Sequence, residues 1–168
     1  MKTIIATIIL LLLNSVSYAE QTLKFGSLSL QWPDGWRSEE SNGEQRLLGP
    51  NGEKVIVTVS SLRPAVAEDE AVKAIQSLHD FANSQMPRLA EAVGGTVTRP
   101  LQRDAVDDVH VNYSTVSQKK GFFGQSYYLQ YFLVGRRSGV FLTLEGKGDA
   151  VPKADQFDKI VSTAYWHE

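Results

Sequence analysis

The pattern of hydrophobic and polar positions changes period three times along this chain. Leu23-Lys24-Phe25 and Leu28-Ser29-Leu30-Gln31-Trp32 alternate apolar with polar, which predicts a first strand broken near Gly26 and Ser27. Leu47-Leu48 and the β-branched run Val55-Ile56-Val57-Thr58-Val59 flank Gly49-Pro50-Asn51-Gly52. A turn sequence between two strand-formers predicts a hairpin. From Glu68 the period lengthens. Val72, Ile75, Leu78, Ala82, Met86, Leu89 and Val93 recur at helical spacing, with Glu68, Asp69 and Glu70 at the positive end of the helix dipole and Gly94-Gly95 beyond its finish. Pro87 has no N–H to bond the carbonyl of Asn83, so a kink or break is expected between these two residues.

Beyond Gly95 the strand period returns. Thr96-Val97-Thr98 and the residues to Arg103 read as a further strand or an extended connection, and Pro100, which cannot donate to a ladder, places it at an edge. After an acidic turn holding Asp104, Asp107 and Asp108, positions 109–147 predict a three-stranded antiparallel meander. Val109-His110-Val111-Asn112-Tyr113 and Val140-Phe141-Leu142-Thr143-Leu144 alternate, and residues 127–134 are almost wholly aromatic or aliphatic. Gly121-Phe122-Phe123-Gly124 and Arg136-Arg137-Ser138-Gly139 supply the turns. Pro152 suits a first helical position, and Ala154, Phe157, Ile160, Val161 and Ala164 form an apolar stripe to the C-terminus. The chain is expected to close with this helix.

Residues 1–19 read as an export signal. Lys2 is the charged start, positions 4–13 are apolar apart from Thr7, and Ser17-Tyr18-Ala19 offers a cleavage site after Ala19. Residues 20–168 then form a single domain, long enough to bury a core of its own. The chain has no cysteine, which rules out disulfides, thiolate chemistry and a lipid-modified cysteine anchor, and suits a soluble periplasmic protein. It carries 17 basic and 19 acidic residues. Once Lys2 is removed with the signal the formal balance is −3, which lacks the basic surplus of a nucleic-acid binder.

Pro33-Asp34-Gly35-Trp36 is a strong turn flanked by Trp32 and Trp36. Placed after an opening strand and followed by a hairpin, a long helix, a meander and a closing helix, it resembles the PsbP/Mog-like α/β/α sandwich. Bacterial members of that group often begin with a similar aromatic-flanked Pro-(Asp/Glu)-Gly-Trp turn. The resemblance spans nearly the whole mature chain and rests on this one motif plus element order. It implies an α+β fold, an antiparallel β-sheet of about six strands with helices packed on both faces, used mainly to bind other proteins. Photosystem subunits, a nuclear-transport GTPase partner and bacterial secretion-effector chaperones look similar in fold. Those chaperones act in the cytoplasm, so the export signal is a departure, and function carried over on fold alone is analogy.

Candidate chemistry is sparse. The three histidines, His79, His110 and His167, show no paired metal spacing. Asp104, Asp107, Asp108 and His110 form the one cluster of ligand-type residues, without the alternate oxygens and glycine of a calcium loop. An ordinary polar turn is expected there, and no metal or cofactor is assigned. No nucleophile elbow, Ser-x-x-Lys pair or phosphate loop is present, so no catalytic residue is assigned.

Two binding features stand above this background. In Lys119-Lys120-Gly121-Phe122-Phe123-Gly124, two phenylalanines occupy a turn; they insert into a partner or a membrane surface, or one folds back on the sheet. In the meander, if Val109, Val111, Tyr113, Leu142 and Leu144 face the core, alternation sends His110, Asn112, Phe141 and Thr143 the other way, joined by Tyr128, Gln130 and Phe132. That second face meets a partner or lies beneath the closing helix. These features predict a monomeric, exported, non-catalytic binding or accessory protein that recognises another protein through Lys119, Lys120, Phe122, Phe123, His110, Tyr128, Phe132 and Phe141. An immunity protein against a periplasm-targeted toxin is a narrower version. A metal-assisted hydrolase built on the aspartates or His110, and a small-ligand carrier, are the alternatives.

Overall fold

The computed structural model describes residues 20–41, 44–63, 66–122 and 124–167. Residues 1–19, where an export signal and its cleavage site are expected, and Phe123 lie outside the described residues. Along the chain run β1 (Glu20–Phe25), β2 (Leu28–Pro33), β3 (Arg37–Ser41), β4 (Glu44–Leu48), β5 (Lys54–Ser61), α1 (Glu68–Ala92), β6 (Thr96–Ala105), β7 (Val111–Gly121), β8 (Gly124–Val134), β9 (Ser138–Lys147), α2 (Ala150–Val161) and β10 (Tyr165–Trp166). One antiparallel sheet has the order β3-β4-β5-β9-β8-β7-β6, and a smaller one the order β1-β2-β10.

Strand β8, the middle strand of the meander, shows how the layers are assigned. Its side chains alternate, so Phe132 and Val134 point to one face while Leu129, Tyr131 and Leu133 point to the other. On the first face α1 lays Ala82 and Met86 against Val111, Tyr113, Phe132 and Val134. On the second, Ala154, Phe157 and Ile160 of α2 join Phe25, Leu28, Leu30 and Trp32 of the small sheet over Leu129, Tyr131 and Leu133. Burial of these apolar side chains is the main stabilising term, about 1.5–3 kcal/mol for each large one fully removed from water.

The α+β class and the antiparallel meander match the expectation; several particulars do not. The described chain has ten strands rather than about six. The break at Gly26, whose φ is 62°, separates two paired strands instead of interrupting one. β3, with the sequence RSEES, has no apolar alternation; it is an edge strand, paired on one side with β4. The chain closes on β10, not on a helix, since α2 ends at Val161. Helices lie on both faces in an unequal way: α2 shares its face with a second sheet, and α1 packs chiefly over β6, β7 and β8.

Pro87 sits inside a continuous α1. The carbonyl it deprives belongs to Asn83, an exposed residue, so water can serve that group. The buried side of α1 runs through Ala71, Ala82, Met86 and Ala90, with Val72 61% exposed. Small alanines let the helix lie close to the sheet, and the bulkier Val72 and Leu89 are turned away from it. In α2 the first turn is capped by Asp149, whose side chain accepts from the Val151 amide, and Pro152 is the third helical residue rather than the first. β6 lies at a sheet edge, as Pro100 requires, with register shifts on either side of Arg99.

The phase between strands of the meander also differs from the expectation. Tyr113 pairs with Phe132, which pairs with Phe141, so Val111 and Tyr113 share a face with Phe141 and Thr143 and not with Leu142. Alternation within each strand holds. The offset between strands comes from the two-residue turn that sets Gly121 opposite Gly124, and a one-residue slip exchanges the faces.

Candidate functional site

The β7–β8 hairpin ends in a tight turn where Gly124 has a φ of 118°, a conformation that favours glycine. Phe122 at the tip is 96% exposed. Lys119 and Lys120 are exposed on the approach, and strand alternation directs them to opposite faces. The hairpin thus carries two exposed lysines and, at Phe122, a solvent-facing phenyl ring.

The second predicted feature is dispersed. Phe132 is only 4% exposed, because α1 sets Phe81 on it; Phe81, Phe132 and Phe141 meet edge to face with centroids 5.7–6.2 Å apart. These rings hold α1 to the sheet. Tyr128, half-buried, lies farther along the same face beyond Gln130. His110 is not on that face at all. It lies in the turn before β7, stacked on Trp166 at 5.5 Å, and its Nδ1 is 2.7 Å from the Asp107 carboxylate.

Asp107 also accepts from the Val109 and His110 amides at 2.7 and 2.8 Å. The bond to the His110 ring, then those amides, bring its pKa down to about 2. Its oxygens thus hold their own turn. Asp104 belongs elsewhere, in a hollow of about 300 Å³ that also takes in Asn112 and Ser114. At that hollow Arg99 donates two 2.9 Å bonds to Asp158, which also accepts from the Tyr131 hydroxyl at 2.6 Å. The bond to Asp158 raises the Arg99 pKa, and burial, followed by the same carboxylate, raises that of Tyr131. Both groups keep their protons at neutral pH, so the cluster clamps β6 to α2. Ser29 Oγ lies 2.7 Å from His167 Nε2, a contact that pins the chain after β10 to β2. Among the described residues no three histidine or carboxylate groups converge on a metal position.

One cleft has no counterpart in the sequence reading. It measures about 410 Å³ and lies between the Pro33–Trp36 turn, the β4–β5 turn and α2, with Gln31, Trp36, Asn51, Lys153, Gln156 and Lys159 on its walls. Glu53, 5% exposed, anchors it. Its carboxylate accepts from the Asn51 amide at 2.9 Å, the Asn51 side chain at 3.2 Å and Lys153 Nζ at 2.9 Å. Burial opposes ionisation of Glu53, but the bonds from Lys153, from its own and the Asn51 backbone and from the Asn51 amide outweigh it and hold the pKa at about 2. A Cβ on Gly49 would stand 2.6 Å from this carboxylate and 3.0 Å from the Trp36 ring, so only glycine allows the close approach. Burial and the Glu53 charge together push the nearby Tyr127 up to about 12. Glu53 and Lys153 are a hundred residues apart, and no local pattern links them.

No family model matches the chain, and no curated protein is similar to it in sequence. Solved structures do match. The solution structure of cyanobacterial PsbP (CyanoP) from Synechocystis sp. PCC 6803 superposes with a TM-score of 0.55 at 12% identity, covering 92% of this chain and 96% of that one. The fold is PsbP-like. LpqN of Mycobacterium tuberculosis, involved in cell envelope biogenesis, matches with a TM-score of 0.50 at 13% identity over 87% of this chain and 89% of that one. A protein from Bacteroides thetaiotaomicron VPI-5482 gives 0.50 at 8% identity, and the PsbP-like chain spans about half of it, 46%. At these identities the likeness is one of architecture.

Proposed function

We propose that this PsbP-like chain is an exported, non-catalytic accessory protein of the cell envelope that recognises another protein through its β7–β8 hairpin. The observation that carries the reading is the 96% exposure of Phe122 at the hairpin tip. A phenyl ring this exposed gains roughly 1.5–3 kcal/mol on full burial against a partner. Lys119 and Lys120 favour a partner with an acidic rim, since rim charges act mainly on the rate and orientation of encounter. The export signal in residues 1–19 supports the compartment, and LpqN, similar in architecture, is involved in cell envelope biogenesis. The non-catalytic reading is supported by the carboxylates of Asp107 and Asp158, which are engaged in holding a turn and a helix.

A photo-cross-linking amino acid placed at position 122 in living cells tests it. A discrete protein adduct is expected from position 122 and none from position 72, where Val72 is exposed on α1. Capture unchanged in a Phe122→Ala, Phe123→Ala double variant would remove the hairpin from the account.

A further inference from the structure

The 410 Å³ cleft falls within the size range of small-molecule sites, and its chemistry is specific enough to name a ligand class. Trp36 supplies the one large aromatic surface. Its ring is braced edge-on by Trp32, with centroids 5.5 Å apart, and by the bare backbone of Gly49, so its orientation is set before any ligand arrives. The Glu53–Lys153 bond ties the β4–β5 turn to α2 and fixes the two walls relative to each other.

Pro33, Pro50 and Ile160 add apolar surface to that of Trp36, and the neutral polar groups of the lining are chiefly planar amides. Asn51 donates to Glu53 and keeps its carbonyl oxygen to accept; Gln31 accepts from Thr22 and keeps its NH₂ to donate; Gln156 has both. Each hydroxyl of a sugar donates and accepts at once, and neighbouring hydroxyls match an amide's paired geometry. The C–H face of a pyranose ring suits the electron-rich face of an indole. Charge narrows the class. Lys153 is neutralised by Glu53, and the remaining ionic groups, Glu20, Asp34 and Lys159, are of mixed sign. Such a lining does not favour a phosphorylated ligand, which needs clustered cations.

We infer that this cleft binds a neutral saccharide about two rings long, stacked on Trp36 and hydrogen-bonded by Gln31, Asn51 and Gln156. The site shares no residue with the β7–β8 hairpin, so it stands or falls separately from partner recognition there.

Titration of the purified ¹⁵N-labelled protein with N,N′-diacetylchitobiose, cellobiose and maltose, each to about 20 mM, is the test; this ceiling exceeds a weak millimolar Kd. At least one sugar is expected to move the Trp36 indole and the Gln31 and Gln156 amide resonances saturably. Trp36→Ala should weaken that binding roughly tenfold or more and Gln156→Ala roughly threefold, while Phe122→Ala leaves it unchanged. Gln156 is exposed on α2, so its variant stays informative should Trp36→Ala disturb the fold. Silence with all three sugars overturns the inference. So does binding that survives Gln156→Ala undiminished, or a proline-rich peptide moving these resonances where the sugars do not.

Discussion

The two faces of the large sheet arise from the same alternation and reach different states. On the face shared by α2 and the small sheet, Leu129, Tyr131, Leu133, Leu142 and Leu144 are each at most 2% exposed. On the α1 face, Phe132 and Val134 are also buried, but Tyr128, Thr143 and Ile56 are half-buried. The first face is roofed by elements from both ends of the described chain: β1 and β2 from its start, α2 and β10 from its finish. The second has a single helix, whose alanines bring it close over β6 to β8. A closed face is a matter of how many separate segments return to it, not of how apolar its own strands are.

Adjacent residues on opposite faces put the largest effect on this difference. Leu142→Ala should cost about 2–5 kcal/mol in denaturant unfolding, because it empties space in the closed core. Thr143→Ala should cost less than about 1 kcal/mol. Equal losses would erase the distinction between the faces.

Glu53 tests the closed side at its margin. Its pKa is lowered from 4.5 to about 2 in the folded protein, so its stabilising contribution, on the order of 3 kcal/mol, is present above pH 4.5 and is lost as pH falls towards 2. Lys153→Met removes a cation that favours the carboxylate, raises the folded pKa of Glu53 and should move the acid-unfolding midpoint to higher pH. An unchanged acid limb would show that the pair does not join the β4–β5 turn to α2 energetically.

On the helix-covered part of the other face, a Cβ on Gly139 would lie 2.8 Å from the Phe132 ring and 3.1 Å from Leu78. Gly139→Ala should therefore cost about 1–3 kcal/mol by crowding α1, read as a lowered Tm. The smallest effect is expected at the hairpin. Phe122→Ala should change stability by less than about 0.5 kcal/mol, since the ring is 96% exposed, while reducing capture of the partner protein.

The tip and the meander were legible because both rest on local chemistry: glycines that bound a tight turn, and runs of β-branched and aromatic residues. The aromatic face was misread for a reason equally local. Alternation tells which residues share a side within one strand, but the turn lengths decide how strands line up, and that moved Val111 and Tyr113 to the side of Phe141. His110 was placed in a strand because Val109 and Val111 alternate around it, whereas Asp107 bonds two amides there and makes a turn.

By itself the sequence determined the β4–β5 hairpin, the two helices with their faces to within a residue, the three-stranded meander, and the turns at Gly35, Gly52 and Gly124, since backbone dihedrals and side-chain period act over a few neighbouring residues. Tertiary structure alone decided that Arg37–Ser41 pairs as a strand, that α2 lies over the same face as β2, and that Trp36, Glu53 and Lys153 meet around one cleft. These depend on contacts between segments far apart in the chain, where burial of a distant partner, and not local preference, sets which arrangement is lowest in free energy.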